Sequence, residues 1–291
     1  MQTERRLVPA ADGTRIYAAL HGGGESIPLL CLPGLTRNSQ DFDPVVQQFA
    51  GERPVLTIDF RGRGQSDYAA DPLTYRPDVE LADALAVLAA FAIKRVAVLG
   101  TSRGGIVGLF MANAAPDLLA GLCLNDIGPR IEPQGLLRIM AYVGVDVSFE
   151  NWDAAVRAFA AAAPGFHGVT PELWLRATRQ AYRQRDDGRI APAYDMNMRE
   201  TLPKPEDVLA GKIPDLWPLL PALAEKPVTS LRGAGSDLLS TETVRRLCVD
   251  LPQAEAVEVP DRGHVPFLDE PASSTALSRW LARVDAKEKG R

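Results

Sequence analysis

The order of apolar and amphipathic stretches predicts an α/β chain: a mostly parallel, doubly wound sheet with helices on both faces and one helical insertion. Three observations carry this expectation. Continuous apolar runs of strand length, such as Pro28 to Leu32, Val96 to Leu99 and Leu119 to Leu124, suit strands buried on both faces. Stretches with a helical period alternate with them, which places helices on both sides of a parallel sheet. From about Pro129 to Pro214 no convincing buried strand occurs, and helical patterns follow one another instead.

Taken in order, Arg5 to Pro9 and Thr14 to Leu20 flank the turn Ala11-Asp12-Gly13 and read as an antiparallel edge hairpin. His21-Gly22-Gly23-Gly24 breaks the chain before the strand Pro28 to Leu32. A loop with Pro33 and Gly34, a helix around Phe42 to Phe49 and the strand Pro54 to Ile58 follow. Asp78 to Phe91 is apolar at Val79, Leu81, Ala82, Leu85, Leu88 and Ala89, a period near 3.6. That helix leads into Arg95 to Leu99, then a tight turn and a helix from Arg103, then the sixth strand, Leu119 to Leu124. Helices are expected at Pro133 to Val143, Asn151 to Ala163 and Pro171 to Gln184, two of them opened by a proline. Alternation resumes with the strand Pro227 to Leu231, the helix Thr241 to Leu251, the strand Ala254 to Val259 and a last helix from Pro271 to Val284, with Asp285 to Arg291 frayed. The expected division is a core of residues 1–128 and 215–291, with a helical lid of residues 129–214 inserted after the sixth strand.

With 291 residues, 46% hydrophobic and 24% charged, the chain has an ordinary globular composition. The net charge is −5 and the basic residues are scattered, so neither nucleic acid nor an anionic membrane is an expected partner. Three cysteines, Cys31, Cys123 and Cys248, fit free thiols in a reducing compartment better than disulfides. No signal-peptide core and no run approaching ~18 apolar residues is present, so a cytoplasmic protein is expected.

The stretch that carries chemistry is Gly100-Thr101-Ser102-Arg103-Gly104-Gly105, a Gly-x-Ser-x-Gly turn between strand and helix. Small neighbours let the two backbones approach, the strained serine projects its hydroxyl, and the first amides of the helix point at the same place. Serine is also an ordinary helix N-cap, so the turn alone does not make a nucleophile. In a doubly wound sheet, partners should follow other strands at their carboxyl ends. His264 follows the strand Ala254 to Val259 through Pro260-Asp261-Arg262-Gly263, where a base should emerge. His21 and His167 lie in a glycine-rich turn and in the helical insertion, where surface or lid roles suffice. Asp237, in the glycine-rich loop after Pro227 to Leu231, is the preferred acid; Asp126, which also ends a strand, is its rival. The chain order Ser102, Asp237, His264 is that of a Ser…Asp…His triad. Oxyanion donors are expected from the backbone amides of Leu35 and Arg103.

Leu32-Pro33-Gly34-Leu35, Asp59 to Asp67, Gly100 to Gly105, Leu124 to Pro129, Leu231 to Ser240 and Asp261 to Pro271 together resemble the α/β-hydrolase superfamily, in its lidded esterase, lactonase and C–C hydrolase branch. The resemblance spans nearly the whole chain. It departs at Pro33, where members usually carry histidine; a backbone-amide donor at Leu35 is unaffected by that change. It also implies that Asp59 to Ser66 is a structural turn, with Arg61 and Arg63 as turn and surface charges. Relatives with aspartate at the elbow, the haloalkane dehalogenases and epoxide hydrolases, are set aside because this chain has Ser102.

An activated Ser102 implies ester or lactone hydrolysis of a small molecule through an acyl-enzyme. Hydrolysis of a C–C bond in a ring-cleavage product is the alternative enzyme, and a non-catalytic binding protein on the same fold is the alternative of another class. Arg176, Arg179, Arg183 and Arg185 could favour a carboxylate-bearing substrate or simply form a solvated face, and the Arg103 side chain is an open clue. No phosphate loop, dinucleotide fingerprint or metal-ligand cluster competes, so neither cofactor nor metal is expected.

Overall fold

The computed structural model describes residues 2–290. Its strands are β1 (Thr3–Pro9), β2 (Arg15–His21), β3 (Leu29–Leu32), β4 (Val55–Ile58), β5 (Val96–Thr101), β6 (Leu119–Asn125), β7 (Tyr182–Gln184), β8 (Ile190–Pro192), β9 (Val228–Gly233) and β10 (Glu255–Val259). The helices are α1 (Asp43–Phe49), α2 (Pro77–Ala90), α3 (Arg103–Ala114), α4 (Pro133–Tyr142), α5 (Trp152–Ala161), α6 (Pro171–Ala181), α7 (Pro205–Leu209), α8 (Thr241–Asp250) and α9 (Pro271–Lys289). Eight strands form one sheet in the order β1-β2-β4-β3-β5-β6-β9-β10. β1 and β2 pair antiparallel, β2 meets β4 antiparallel, and the remaining pairs are parallel. The chain folds as the doubly wound α/β sheet that its sequence predicts.

The pleat sorts each apolar strand between two cores. Leu30, Leu32, Val96 and Val98 face one side, with Leu81, Leu88 and Val107 of α2 and α3. Their neighbours Leu29, Cys31, Ala97 and Leu99 face the other, with Val45 and Phe49 of α1 and Trp280 of α9. Trp280 is fully buried, and its indole N–H donates to the Pro227 carbonyl at 3.1 Å. Cys31 and Cys123 are buried and unpaired, and burial pushes both thiols up. Among the described residues no helix is long and apolar enough to cross a membrane.

Three expectations change. Residues 182–184 do not extend α6; they pair as β7 with β8, a hairpin in which Gly188 takes φ +82° and Ile190, Ala191 and Pro192 are buried. The tail does not fray at Asp285: α9 continues to Lys289, because Arg53 donates to Asp285 and Arg95 pairs with Glu288. Arg61 and Arg63 are not surface charges but among the most buried side chains. Arg61 bridges Asp83 and Asp12, each at 2.7 Å, while Arg63 lies 2.9 Å from Glu80 and donates through Nε to the Leu35 carbonyl at 2.7 Å. The turn after β4 is therefore an internal brace.

Candidate active site

The carboxyl ends of β5, β6 and β10 converge on one cluster. Ser102 sits between β5 and α3 with φ +49° and ψ −111°, a conformation an L-residue holds only when its surroundings enforce it. Gly100 and Gly104 make it possible. A Cβ on Gly100 would lie 2.5 Å from the Gly104 backbone, and one on Gly104 would lie 2.0 Å from the Leu32 carbonyl oxygen. Ser102 does not cap α3 with its side chain. Its Oγ lies 3.0 Å from His264 Nε2.

His264 follows β10 through a turn in which Asp261 takes φ +59° and Arg262 pairs with Glu270 at 2.9 Å. A Cβ on Gly233 would lie 2.4 Å from the Gly263 carbonyl oxygen, so the loops after β9 and β10 run in backbone contact. The other ring nitrogen, Nδ1, lies 2.7 Å from Asp126 Oδ2. Asp126 follows β6 directly, with φ +54°, a region that aspartate tolerates better than most residues. Its buried carboxylate also accepts from the Gly233 amide at 2.8 Å and the Ser236 hydroxyl at 2.6 Å. With Nδ1 donating to the Asp126 carboxylate, Nε2 is left to accept from the Ser102 hydroxyl.

The preferred acid of the sequence, Asp237, is not the partner of His264. Its carboxylate is gripped by Arg138 of α4 through both oxygens, at 2.6 and 2.8 Å. Burial raises the Asp237 carboxyl, but the hydrogen bonds and charge of Arg138 outweigh it and leave the group below its ordinary range. The reason lies in the loop: after β9 it turns Gly233 and Ser236 onto Asp126, and one residue later the chain has already swung towards α4. Ser236 is a site residue that no sequence motif marks; its place in the loop after β9 is the one available signal.

Leu35 and Gly34 line a cavity of about 330 Å³ that also receives Ser102 and His264. The Leu35 carbonyl is held by Arg63, which fixes the loop after β3. Arg103 heads α3, with its side chain turned to buried Glu80 at 3.7 Å rather than to the cavity. Most of the wall is apolar, from Ile139, Val145, Phe159, Phe166, Trp174 and Phe267. Neither His21, bonded to Thr3 and Thr57, nor His167, whose amide donates to the Asp261 carbonyl, belongs to this wall. Among the described residues no group of His, Cys, Asp and Glu could hold a metal ion.

The family model described as the alpha/beta hydrolase family matches residues 29–276. The chain belongs to the α/β-hydrolase family. This α/β-hydrolase is similar to the 3-hydroxybutyrate-oligomer hydrolase of Cupriavidus necator, 35% identical over 249 residues that cover 84% of each chain. It also resembles an esterase of Mycobacterium tuberculosis, 26% identical over 287 residues, covering 94% of this chain and 90% of that one. A crystal structure of an α/β-hydrolase from Novosphingobium aromaticivorans superposes with a TM-score of 0.89 at 40% identity, covering 97% of this chain and 98% of the other.

Proposed function

We propose that this protein is a serine hydrolase that cleaves an ester or lactone of a small organic molecule through an acyl-enzyme. The observation that carries the proposal is the hydrogen-bonded series Ser102, His264, Asp126, at 3.0 and 2.7 Å, opening into an apolar cavity. His264 takes the Ser102 proton as Oγ attacks the acyl carbon, while Asp126 holds the tautomer and stabilises the imidazolium. The tetrahedral oxyanion is received by the amides of Leu35 and Arg103, the second at the head of α3. His264 then returns the proton to the leaving alcohol, and water, deprotonated by the same ring, clears the acyl group. Residues 129–214 act as a lid, since α4, α5 and α6 supply much of the apolar wall. The names of the two relatives, an oligomer hydrolase and an esterase, favour ester bonds.

A fluorophosphonate probe tests the nucleophile: it is expected to modify Ser102 in the folded protein and to leave Ser102→Ala unlabelled. Absence of an adduct on the wild type overturns the reading in favour of a binding protein. Side-by-side assay of p-nitrophenyl esters, lactones and vinylogous ring-cleavage products tests the bond; turnover of the last group alone would assign C–C hydrolysis instead.

A further inference from the structure

Apart from Ser102 and His264, the cavity wall carries charged and hydroxyl groups among its apolar side chains. Arg37, Arg138 and Arg176 all reach its wall, and each already has an aspartate: Asp41 at 2.5 Å, Asp237 at 2.6 Å and Asp269 at 2.5 Å. A carboxylate entering here would meet no uncompensated cation, and it would lie beside Asp41, which also lines the wall. Two phenols on the same wall carry no charge and, among the described residues, their hydroxyls have no protein partner. Tyr142, the last residue of α4, exposes 41% of its surface and lines the cavity. Among the described residues its hydroxyl makes no hydrogen bond, and neither does that of Tyr182, which lines the same wall. Arg37 and Arg138 flank Tyr142 closely enough to pull against the rise that burial imposes on its phenol, and Tyr182 adds to that rise. The phenol is therefore a neutral donor at any physiological pH. Tyr182 is fixed by its ring contacts with Phe149 and Phe159, at 5.8 and 6.1 Å.

A phenol that faces the cavity without a protein partner bonds to water until a ligand oxygen takes its place, so the site favours a ligand that can accept that bond. Resting on the ester-hydrolase reading above, we infer that Tyr142, supported by Tyr182, is the specificity residue of this cavity. It donates a hydrogen bond to a neutral oxygen, a carbonyl or hydroxyl, carried by the substrate a few bonds away from the scissile ester. The substrate class is thus an oxo- or hydroxy-substituted aliphatic ester, neutral at the position where Tyr142 meets it, in preference to a plain alkyl ester or a carboxylate-bearing one.

Two isosteric series read this out. On the acyl side they are the p-nitrophenyl esters of 4-methylpentanoate, 4-oxopentanoate and succinate. On the alcohol side they are 3-methylbutyl acetate, 3-oxobutyl acetate and 3-acetoxypropanoate, followed by titration of released acid. In at least one series the oxo ester is expected to lead in kcat/KM, by about 3- to 10-fold over the alkyl ester, the worth of one net hydrogen bond. Tyr142→Phe should lower kcat/KM on the oxo ester more than on the alkyl ester and so shrink that lead, and Tyr142→Phe with Tyr182→Phe should erase it. Equal losses on alkyl and oxo esters, or a carboxylate ester as the best substrate in either series, would overturn the inference and leave ester hydrolysis standing. A wild-type protein that hydrolyses none of the six overturns both.

Discussion

The sharpest consequence of the geometry concerns two aspartates that a sequence cannot tell apart. Replacing Asp126 by Asn exchanges a carboxylate that accepts from His264, Gly233 and Ser236 for an amide with one acceptor oxygen. The amide nitrogen would oppose Nδ1–H, so the imidazole turns to the tautomer that presents a proton, not a lone pair, to Ser102. In a triad that inversion costs on the order of 10⁴ in kcat, about 5.5 kcal/mol of transition-state stabilisation. Asp237→Asn loses only the paired hydrogen bonds to Arg138, whose side chain is 24% exposed, and should change kcat by less than about tenfold. The assay is p-nitrophenyl butyrate hydrolysis at saturating substrate, with circular dichroism melting to confirm that both variants fold. A loss near 10⁴ for Asp237→Asn, with Asp126→Asn within tenfold of wild type, would refute the assignment of the acid.

Other outcomes follow from packing and charge. Gly104→Ala places a Cβ 2.0 Å from the Leu32 carbonyl and should abolish soluble folded protein, whereas Gly34→Ala, whose nearest contact is 3.3 Å to the flexible Arg37 side chain, should fold; expression and melting curves compare them. Glu80→Gln strips the buried partner from Arg63, at 2.9 Å, and should cost about 3–5 kcal/mol, a fall in Tm on the order of 10 °C by calorimetry. The Arg61 hydrogen bond holds Asp12 down at about 2, against an unfolded value near 3.9. Its contribution is present above about pH 4 and is lost as pH falls towards 2. With 44% of the side chain exposed, that contribution is below about 1 kcal/mol, so Asp12→Asn should lower Tm slightly at pH 6 and not at all near pH 2.

The sheet was legible because its inner strands are buried on both faces, and burial on both faces leaves uninterrupted runs such as Leu29–Leu32 and Val96–Thr101. Ser102 and His264 were legible for a related reason: each follows a strand within a few residues, Ser102 after the inner strand β5 and His264 after β10 at the edge of the sheet. The acid was ambiguous because Asp126 and Asp237 follow neighbouring strands, and the distinction depends on how the loop after β9 bends, a property of its contacts with the Gly263 turn. Arg63 misled because a polar, glycine-punctuated turn reads as surface; only tertiary packing against Glu80, Tyr75 and the Leu35 carbonyl buries it. The β7–β8 hairpin was hidden by shortness, since three residues carry no readable period.

The aromatic contacts between α6 and the loop after His264 bear on how a molecule gets in. Phe166, Trp174 and Phe267 form a closed triangle, with ring centroids 5.6, 5.2 and 6.1 Å apart, spanning the boundary between the helical segment and the core. The ion pairs across the same boundary, Arg138 with Asp237 and Arg176 with Asp269, are partly solvated and each contributes about 1 kcal/mol or less. Asn38 also donates to the Gln180 carbonyl at 2.7 Å and Gln180 to the Gln40 carbonyl at 2.8 Å across it. Any parting of the helical segment from the core would therefore break ring contacts, apolar burial and uncharged hydrogen bonds together, and its rate, followed by Trp174 fluorescence, should respond to temperature far more than to salt.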